Sequence, residues 1–163
     1  MDLLDRPVAV LDSGIGGLPY LAAAREALPS ERFVYLADRE GFPYGTKSRE
    51  EVRDRVLSLV GRLAAGYGPK ALVIACNTAS QAALEAARAA RPELPMVGTV
   101  PAIKPAAERT RTGTIGVMAT AGAVEDPYLD ELVRKHAPGV RVLREAAQAL
   151  VDFVARRAAY ADE

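Results

Sequence analysis

The sequence predicts an α/β fold built on a parallel, doubly wound sheet, and three observations predict it. Short β-branched runs recur along the chain, longer segments of strong helix formers separate them, and Gly, Pro or polar residues bound each run. Strands that alternate with helices indicate a parallel sheet with helices on both faces, because parallel neighbours need a crossover. We therefore expect one flavodoxin-like half and part of a second, similar half.

Six runs of the sequence are predicted to be strands. They are Val8 to Leu11, Phe33 to Leu36, Ala71 to Ala75, Met96 to Val100, Ile115 to Met118 and Val140 to Leu143. The Pro-rich stretch from Pro92 to Pro105 is the best candidate for a boundary, since proline stiffens connections. We expect a first domain over residues 1–97 and a partial second domain over residues 98–163.

Four helices are predicted, three from their start signals and one from its composition. Ser48 and Glu51 form a capping box, and the helix that follows has one apolar stripe and is expected to end at Gly66 and Gly68. The stripe consists of Val52, Val56, Leu59, Val60 and Leu63. Residues 79–90 are strong helix formers. Pro101 and the pair Asp126-Pro127 are expected to open two further helices.

Composition and charge exclude several classes of protein. The 163 residues contain 21 basic and 21 acidic side chains, so no global field favours nucleic acid or an acidic membrane surface. The N-terminus lacks the pattern of a signal peptide, and no stretch is long enough to span a bilayer. One cysteine without an export signal indicates the cytoplasm. Cys76 and His136 alone do not form a metal cluster, and His136 is expected at a helix C-terminus.

The first strand leads into a glycine-rich loop with the sequence D-S-G-I-G-G-L at residues 12–18. These glycines let the backbone approach a ligand, and the following helix would direct its first amides at an anion. A dinucleotide loop would need glycine where Pro19 stands, and Asp12 would repel a phosphate. Three interpretations stay open: a nucleotide-binding loop, which these two residues disfavour, a tight structural turn, and a site in which Asp12 and Ser13 have chemical roles.

Two further loops are expected at the same edge of the sheet. The segment F-P-Y-G at residues 42–45 is suited to presenting amides and the hydroxyl of Tyr44 to a small polar ligand, or is only a turn. The third loop carries Cys76 before Asn77 and Thr78. A free cysteine is often a small buried hydrophobe, but beside a helix N-terminus its thiol pKa is expected to fall. Asp12 is then expected to lie close enough to take the proton of Cys76.

Three ordered motifs resemble those of the glutamate racemases, in the aspartate/glutamate racemase superfamily. They are D-S-G-I-G-G-L at 12–18, F-P-Y-G at 42–45 and I-A-C-N-T-A at 74–79, and the resemblance continues through V-G-T-V-P-A-I-K-P-A at 97–106 and I-G-V-M-A-T-A-G-A-V at 115–124. It covers essentially the whole chain.

The resemblance implies an enzyme that interconverts L- and D-glutamate without a cofactor and supplies D-glutamate for peptidoglycan. It implies two α/β halves, a homodimer, and two cysteines that serve opposite faces of the substrate. Cys76 resembles the first of these cysteines, and Asp12 resembles the acid that assists it. The positions that resemble substrate-binding residues are Asp12, Ser13, Pro43, Tyr44, Gly45, Asn77, Thr78 and Thr120.

The chain departs from the family's pattern in one respect, because the segment with the second cysteine does not occur within its 163 residues. The sequence is therefore expected to correspond to about the first three-fifths of a racemase. Two alternatives remain open: a non-catalytic protein that binds a small acid, and an enzyme with one cysteine that resembles the arylmalonate decarboxylases.

Overall fold

The computed structural model describes residues 3–159, with side chains described from residue 4 to residue 154. This part of the chain contains six strands and seven α-helices. The strands are Val8–Asp12 (β1), Phe33–Ala37 (β2), Ala71–Ile74 (β3), Met96–Gly98 (β4), Thr114–Ala119 (β5) and Arg141–Ala146 (β6). The helices are Leu18–Ala27 (α1), Arg49–Tyr67 (α2), Asn77–Ala90 (α3), Ile103–Arg109 (α4), Ala121–Glu125 (α5), Pro127–His136 (α6) and Gln148–Ala159 (α7).

The chain divides into two compact units between Thr99 and Val100. In the first unit the sheet has the order β2-β1-β3-β4, and every pair is parallel. The connection from β1 to β2 runs in the opposite direction to those from β2 to β3 and from β3 to β4. Because such crossovers are right-handed, α1 lies on one face of the sheet and α2 and α3 on the other. The parallel, doubly wound α/β fold is confirmed.

The core of the first unit lies between the sheet and the pair α2 and α3. Ala9 and Leu11 of β1, with Leu72 and Ile74 of β3, are completely buried there. The predicted apolar stripe of α2 faces the same core, and all five of its members are buried. In contrast, α1 has no buried residue. The sheet is therefore fixed mainly from the α2 and α3 side.

Helix α2 begins and ends as its sequence signals require. The Ser48 side chain accepts a hydrogen bond from the Glu51 amide, the Glu51 side chain accepts one from the Ser48 amide, and the predicted capping box is confirmed. Gly68 is the C-cap, with φ of 52° in the left-handed region. The expectation that Gly66 helps to end the helix is wrong, because Gly66 lies inside α2 and a single left-handed glycine is sufficient.

Other boundaries differ from the sequence expectations by a few residues. Helix α3 begins at Asn77, immediately after Cys76, and α4 begins at Ile103 rather than at Pro101. Asp126 is the N-cap of α6 and Pro127 its first residue, as predicted. His136 is the last residue of α6, at the expected C-terminus. No helix among the described residues is long and apolar enough to span a bilayer.

The second unit is smaller and contains the parallel pair β5 and β6. One face of this pair packs against α4 and α6, and the cluster there is centred on Ile103, Ile115, Leu129 and Ala137. Met118 and Leu143 point away from this cluster, and their side chains are 65% and 50% exposed. The second unit thus has one covered and one uncovered sheet face.

Candidate functional site

The register of the sheet places the ends of β1, β2 and β3 at one edge of the first unit. Leu11 pairs with Ile74, and the Ala75 amide donates to the Leu11 carbonyl at 2.8 Å. On the other side of β1, the Asp38 amide donates to the Asp12 carbonyl at 2.9 Å. The three loops singled out in the sequence therefore begin side by side, at the edge where open α/β sheets bind ligands.

Asp12 is buried at the end of β1 and organises the glycine-rich loop that follows it. Its Oδ2 atom accepts hydrogen bonds from the amides of Gly14 at 3.0 Å and Gly17 at 3.1 Å. The Asp12 carboxylate thus fixes the path of the loop into α1.

The Tyr35 side chain fastens the same loop from β2. Its hydroxyl donates to the Gly14 carbonyl at 2.9 Å and lies 3.3 Å from Asp12 Oδ2. Burial, and then the charge of Asp12, raise the pKa of the Tyr35 phenol well above its usual value, so that Tyr35 remains a hydrogen-bond donor.

Cys76 is the N-cap residue of α3, and its side chain is partly buried. Its Sγ atom accepts a hydrogen bond from the Ala79 amide at 3.5 Å and lies 3.7 Å from Ser13 Oγ. The predicted juxtaposition of the first and third loops is therefore present, and the direct contact is made by Ser13. Among the described residues, Asp12 makes no hydrogen bond to Cys76.

The expectation of a lowered thiol pKa at Cys76 is wrong. Burial raises the pKa of Cys76, and the nearby charge of Asp12 raises it further. Hydrogen bonds from the Ala79 amide and from Ser13 act in the opposite direction but do not outweigh burial. The cost of removing the sulfur from water thus exceeds the stabilisation that the helix N-terminus provides.

The second loop carries Pro43, Tyr44 and Gly45, after a cis peptide bond between Phe42 and Pro43. Tyr44 is only 2% exposed and belongs to the same core cluster against which Cys76 packs. Its hydroxyl was expected to face a ligand, but it donates to Asp38 Oδ2 at 2.6 Å. The Tyr44 side chain therefore anchors this loop to the protein.

Asp38 follows β2 directly and is buried, with 5% of its surface exposed. Besides Tyr44, it accepts hydrogen bonds from the Gly41 amide at 3.3 Å and from Arg55 Nη2 at 2.6 Å, and it forms a close ion pair with Arg55 Nε. Burial alone would raise the pKa of Asp38, but the bonds from Arg55 and Tyr44 outweigh burial and lower it. Asp38 is therefore a fully paired, charged group behind the second loop.

The remaining predicted site residues lie at helix starts. Asn77 and Thr78 are the first two residues of α3, with Asn77 exposed and Thr78 partly buried. Thr120 is in the second unit, where it caps α5 and its Oγ1 atom accepts a hydrogen bond from the Ala123 amide at 3.3 Å. In the described part of the chain, no three His, Cys, Asp or Glu side chains are grouped as metal ligands.

Comparison with known proteins decides the family. Residues 20–161 match the family described as Asp/Glu/Hydantoin racemase. The chain belongs to this family.

The relatives of this racemase-family chain include two curated glutamate racemases. That of Sphingopyxis alaskensis is 52% identical over 147 residues, which is 90% of this chain and 54% of the relative. That of Brucella canis is 49% identical over 146 residues, which is 90% of this chain and 53% of the relative. The chain therefore spans about half the length of the curated relatives that it matches.

Solved structures of the racemase family have the same fold. The Escherichia coli glutamate racemase, in complex with L-glutamate and the activator UDP-MurNAc-Ala, matches with a TM-score of 0.81 and 38% identity, over 88% of this chain and 55% of its own. The Aquifex pyrophilus glutamate racemase matches with a TM-score of 0.75 and 33% identity, over 86% of this chain and 54% of its own.

Three residues of the candidate site were not predicted from the sequence: Tyr35, Asp38 and Arg55. A signal existed for the first two. Asp38 follows β2 as Asp12 follows β1, and Tyr35 stands two residues before Ala37, the register partner of Asp12, and so shares its face of the sheet. Arg55 had no such signal, because its role depends on how α2 docks.

Proposed function

We propose that this chain forms the first-cysteine half of a glutamate racemase, an isomerase that interconverts L- and D-glutamate and supplies D-glutamate for peptidoglycan. The observation that carries the proposal is the approach of Ser13 Oγ to Cys76 Sγ at 3.7 Å, beside the buried Asp12 loop. Support also comes from the named relatives, which are about half identical to this chain.

The proposed reaction is proton transfer at the α-carbon of glutamate. The Cys76 thiolate takes the α-proton from one face, which leaves the bonding electron pair on the substrate, and a second acid returns a proton to the opposite face. A raised pKa suits this task, because a thiolate of higher pKa is the stronger base once formed. Ser13 and the Ala79 amide stabilise that thiolate.

The other residues in the proposal bind the substrate or assist the transfer. Asp12 assists Cys76, while substrate-binding roles are proposed for Ser13, Pro43, Tyr44, Gly45, Asn77, Thr78 and Thr120, as well as Asp12. For Pro43, Tyr44 and Gly45 the proposed contacts come from the backbone, since the Tyr44 hydroxyl donates to Asp38. Desolvation by a bound diacid would strengthen each of these interactions.

We further propose a cytoplasmic homodimer that requires no cofactor. Its support is the resemblance of the motifs and an uncovered sheet face in the second unit. Sedimentation of the purified polypeptide over a range of concentrations would test the dimer.

The experiment that tests the function uses the complete polypeptide encoded by the gene containing these 163 residues. D-Glutamate is incubated with it in heavy water, and loss of the α-proton signal is followed by NMR together with the appearance of L-glutamate. Cys76→Ala is expected to abolish both the exchange of the α-proton and the formation of L-glutamate. Ser58→Ala, which changes an exposed residue of α2, should leave both unchanged. Full activity of Cys76→Ala would contradict the proposal.

A second candidate function is supported by the raised pKa of Cys76, which disfavours the thiolate that catalysis needs. It is a protein that binds a small acid without chemistry. Saturable binding of D-glutamate without exchange of its α-proton would favour this candidate, while exchange without racemisation would indicate a thiolate that works on one face only.

A further inference from the structure

We propose that Arg55 is a positioning residue, which acts through Asp38 and Tyr44 to hold the segment from Phe42 to Gly45 in its substrate-binding conformation. The inference rests on the proposed function, because it assigns this segment to substrate binding. It adds a residue of α2 that lies outside all three sequence motifs.

The Asp38 carboxylate is the junction of the arrangement. Its Oδ2 atom accepts a hydrogen bond from the Tyr44 hydroxyl, and its Oδ1 atom accepts one from the Gly41 amide. The main-chain carbonyl of Asp38 accepts hydrogen bonds from the amides of Gly41 and Phe42, each at 3.1 Å. One residue thus binds the start of the loop through its main chain and the end of the loop through its side chain.

Arg55 makes this junction possible by supplying the compensating charge. A carboxylate with only 5% of its surface exposed is costly unless it is paired. Arg55 bonds both carboxylate oxygens, with Nε on Oδ2 and Nη2 on Oδ1, and this two-point geometry fixes the orientation of the carboxylate. Glu40, at 3.5 Å from Arg55 Nη2, is the other acidic group beside the guanidinium, and it is exposed.

The consequence for the site follows from Tyr44. Its ring is buried in the core cluster against which Cys76 packs, so its position sets where the backbone of Pro43 and Gly45 lies. Without Arg55, burial would raise the pKa of Asp38, and its carboxylate would lose the two hydrogen bonds that fix its orientation. The loop would then lose its anchor, while the Ser13 and Ala79 contacts of Cys76 would remain.

The proposal therefore predicts a loss of substrate affinity rather than of chemistry. In the complete polypeptide, Arg55→Met is expected to raise KM for D-glutamate about tenfold, within the range that displaced binding groups produce, with kcat changed much less. Arg55→Lys keeps the charge but not the two-point geometry, and an intermediate KM is expected. Arg53→Met is the matched control, since Arg53 lies on the same helix and, within the described part of the chain, forms its ion pair with its exposed neighbour Asp54.

Two further readouts separate positioning from a general loss of structure. Hydrogen–deuterium exchange should be faster in the peptide covering residues 39–47 of Arg55→Met and unchanged in the peptides that contain β1 and β3. The pH dependence of Cys76 alkylation by iodoacetamide should also be unchanged. If Arg55→Met does not fold, the same comparisons are made with Arg55→Lys.

Each outcome decides between the alternatives. A KM equal to that of the parent, or a fall in kcat alone, would overturn the inference, as would faster exchange spread over the whole first unit. Absence of turnover in the parent would instead contradict the proposed function. Hydrogen–deuterium exchange of the peptide covering residues 39–47 would then decide whether Arg55 holds the segment. The double variant Arg55→Met/Tyr44→Phe should raise KM by less than the product of the two single-variant fold-changes, because both residues act through Asp38.

Discussion

At the scale of single residues, the environment of Cys76 combines opposing influences on one sulfur. Burial and the Asp12 charge disfavour the thiolate, whereas the Ala79 amide and Ser13 favour it. In the proposed role of base, such a thiol is mostly protonated at neutral pH and strongly basic when ionised. Alkylation and oxidation both require the thiolate, so Cys76 should react with such reagents more slowly at neutral pH than an unperturbed thiol does.

The first prediction separates the two effects of Asp12. Asp12→Asn removes a negative charge near the sulfur, so the pKa of Cys76 should fall and alkylation by iodoacetamide at pH 7 should become severalfold faster. The parent should titrate above the value of an unperturbed thiol, about 8.5. Mass spectrometry of the peptide that contains Cys76 would measure the alkylation of this residue separately from that of any other cysteine in the complete polypeptide.

The same variant should exchange the α-proton of D-glutamate more slowly, since Asp12 is proposed to assist the transfer. Asp54→Asn, which neutralises an exposed carboxylate on α2, should alter neither rate. Slower alkylation in Asp12→Asn would contradict the electrostatic account of the sulfur, whatever happens to exchange.

At the scale of elements, the loop between β1 and α1 is determined by close contacts around Gly17. A Cβ atom at this position would lie 2.9 Å from Tyr35 Oη and 3.0 Å from the Cβ atoms of Asp12 and Ala75. Two of these three neighbours are Cβ atoms, which are bonded directly to the main chain and cannot move by side-chain rotation. Gly17 is therefore required by the approach of three strand ends rather than by its backbone angles.

We predict that Gly17→Ala destabilises the chain by about 1–3 kcal/mol, the usual range for overpacking. Urea unfolding followed by circular dichroism would measure the change. Gly61→Ala is the matched control, because nothing lies within 4 Å of its added Cβ inside α2, and it should stabilise the chain by about 0.5–1 kcal/mol. An equal effect of the two substitutions would show that the contacts around Gly17 relax freely.

The elements could be predicted from sequence wherever local chemistry decides them. The Ser48 capping box, the apolar stripe of α2 and the Asp126-Pro127 start depend on neighbours along the chain, and each is present. Helix boundaries that are fixed by tertiary contacts were harder to predict from the sequence. Helix α3 begins at Asn77 because the Cys76 side chain caps it, and cysteine is not among the usual N-cap residues.

The site itself could be predicted only in part, for the same reason. The alternation of elements predicts a parallel sheet with the three loops at one edge, whereas the strand order that makes β1 and β3 neighbours is seen only in the structure. The pKa of Cys76, the inward direction of the Tyr44 hydroxyl and the role of Arg55 depend on burial and on helix docking. Each of these features depends on many contacts between residues that are distant in the sequence, and no short sequence pattern encodes them.

At the scale of the whole molecule, buried charge links stability to pH. Despite burial, hydrogen bonds from Arg55 and Tyr44 hold the pKa of Asp38 below its ordinary value. A carboxyl group with a lowered folded-state pKa contributes stability above its unfolded-state pKa, about 3.9, and that stability is lost as the pH falls through the folded-state pKa. The contribution of Asp38 is therefore complete at neutral pH and disappears in acid.

The corresponding prediction concerns urea midpoints between pH 5 and pH 2.5. In the parent chain the midpoint should fall steeply below about pH 4, the unfolded-state value of an aspartate. Asp38→Asn should be less stable at pH 5 and should show a shallower decline, whereas Asp54→Asn should follow the parent. Parallel curves for the parent and Asp38→Asn would assign the acid sensitivity to other groups.

The single sulfur between Ser13 and Ala79 also has a practical consequence. Within these 163 residues, a fluorinated or fluorescent reagent that reacts with thiols would attach at Cys76, at the rim of the sheet where three loops meet. Such a label would report changes at this edge of the sheet without background from another thiol in these 163 residues. The residue proposed as the catalytic base is thus also a site for a spectroscopic label, provided that the label is attached at a pH high enough to ionise the thiol.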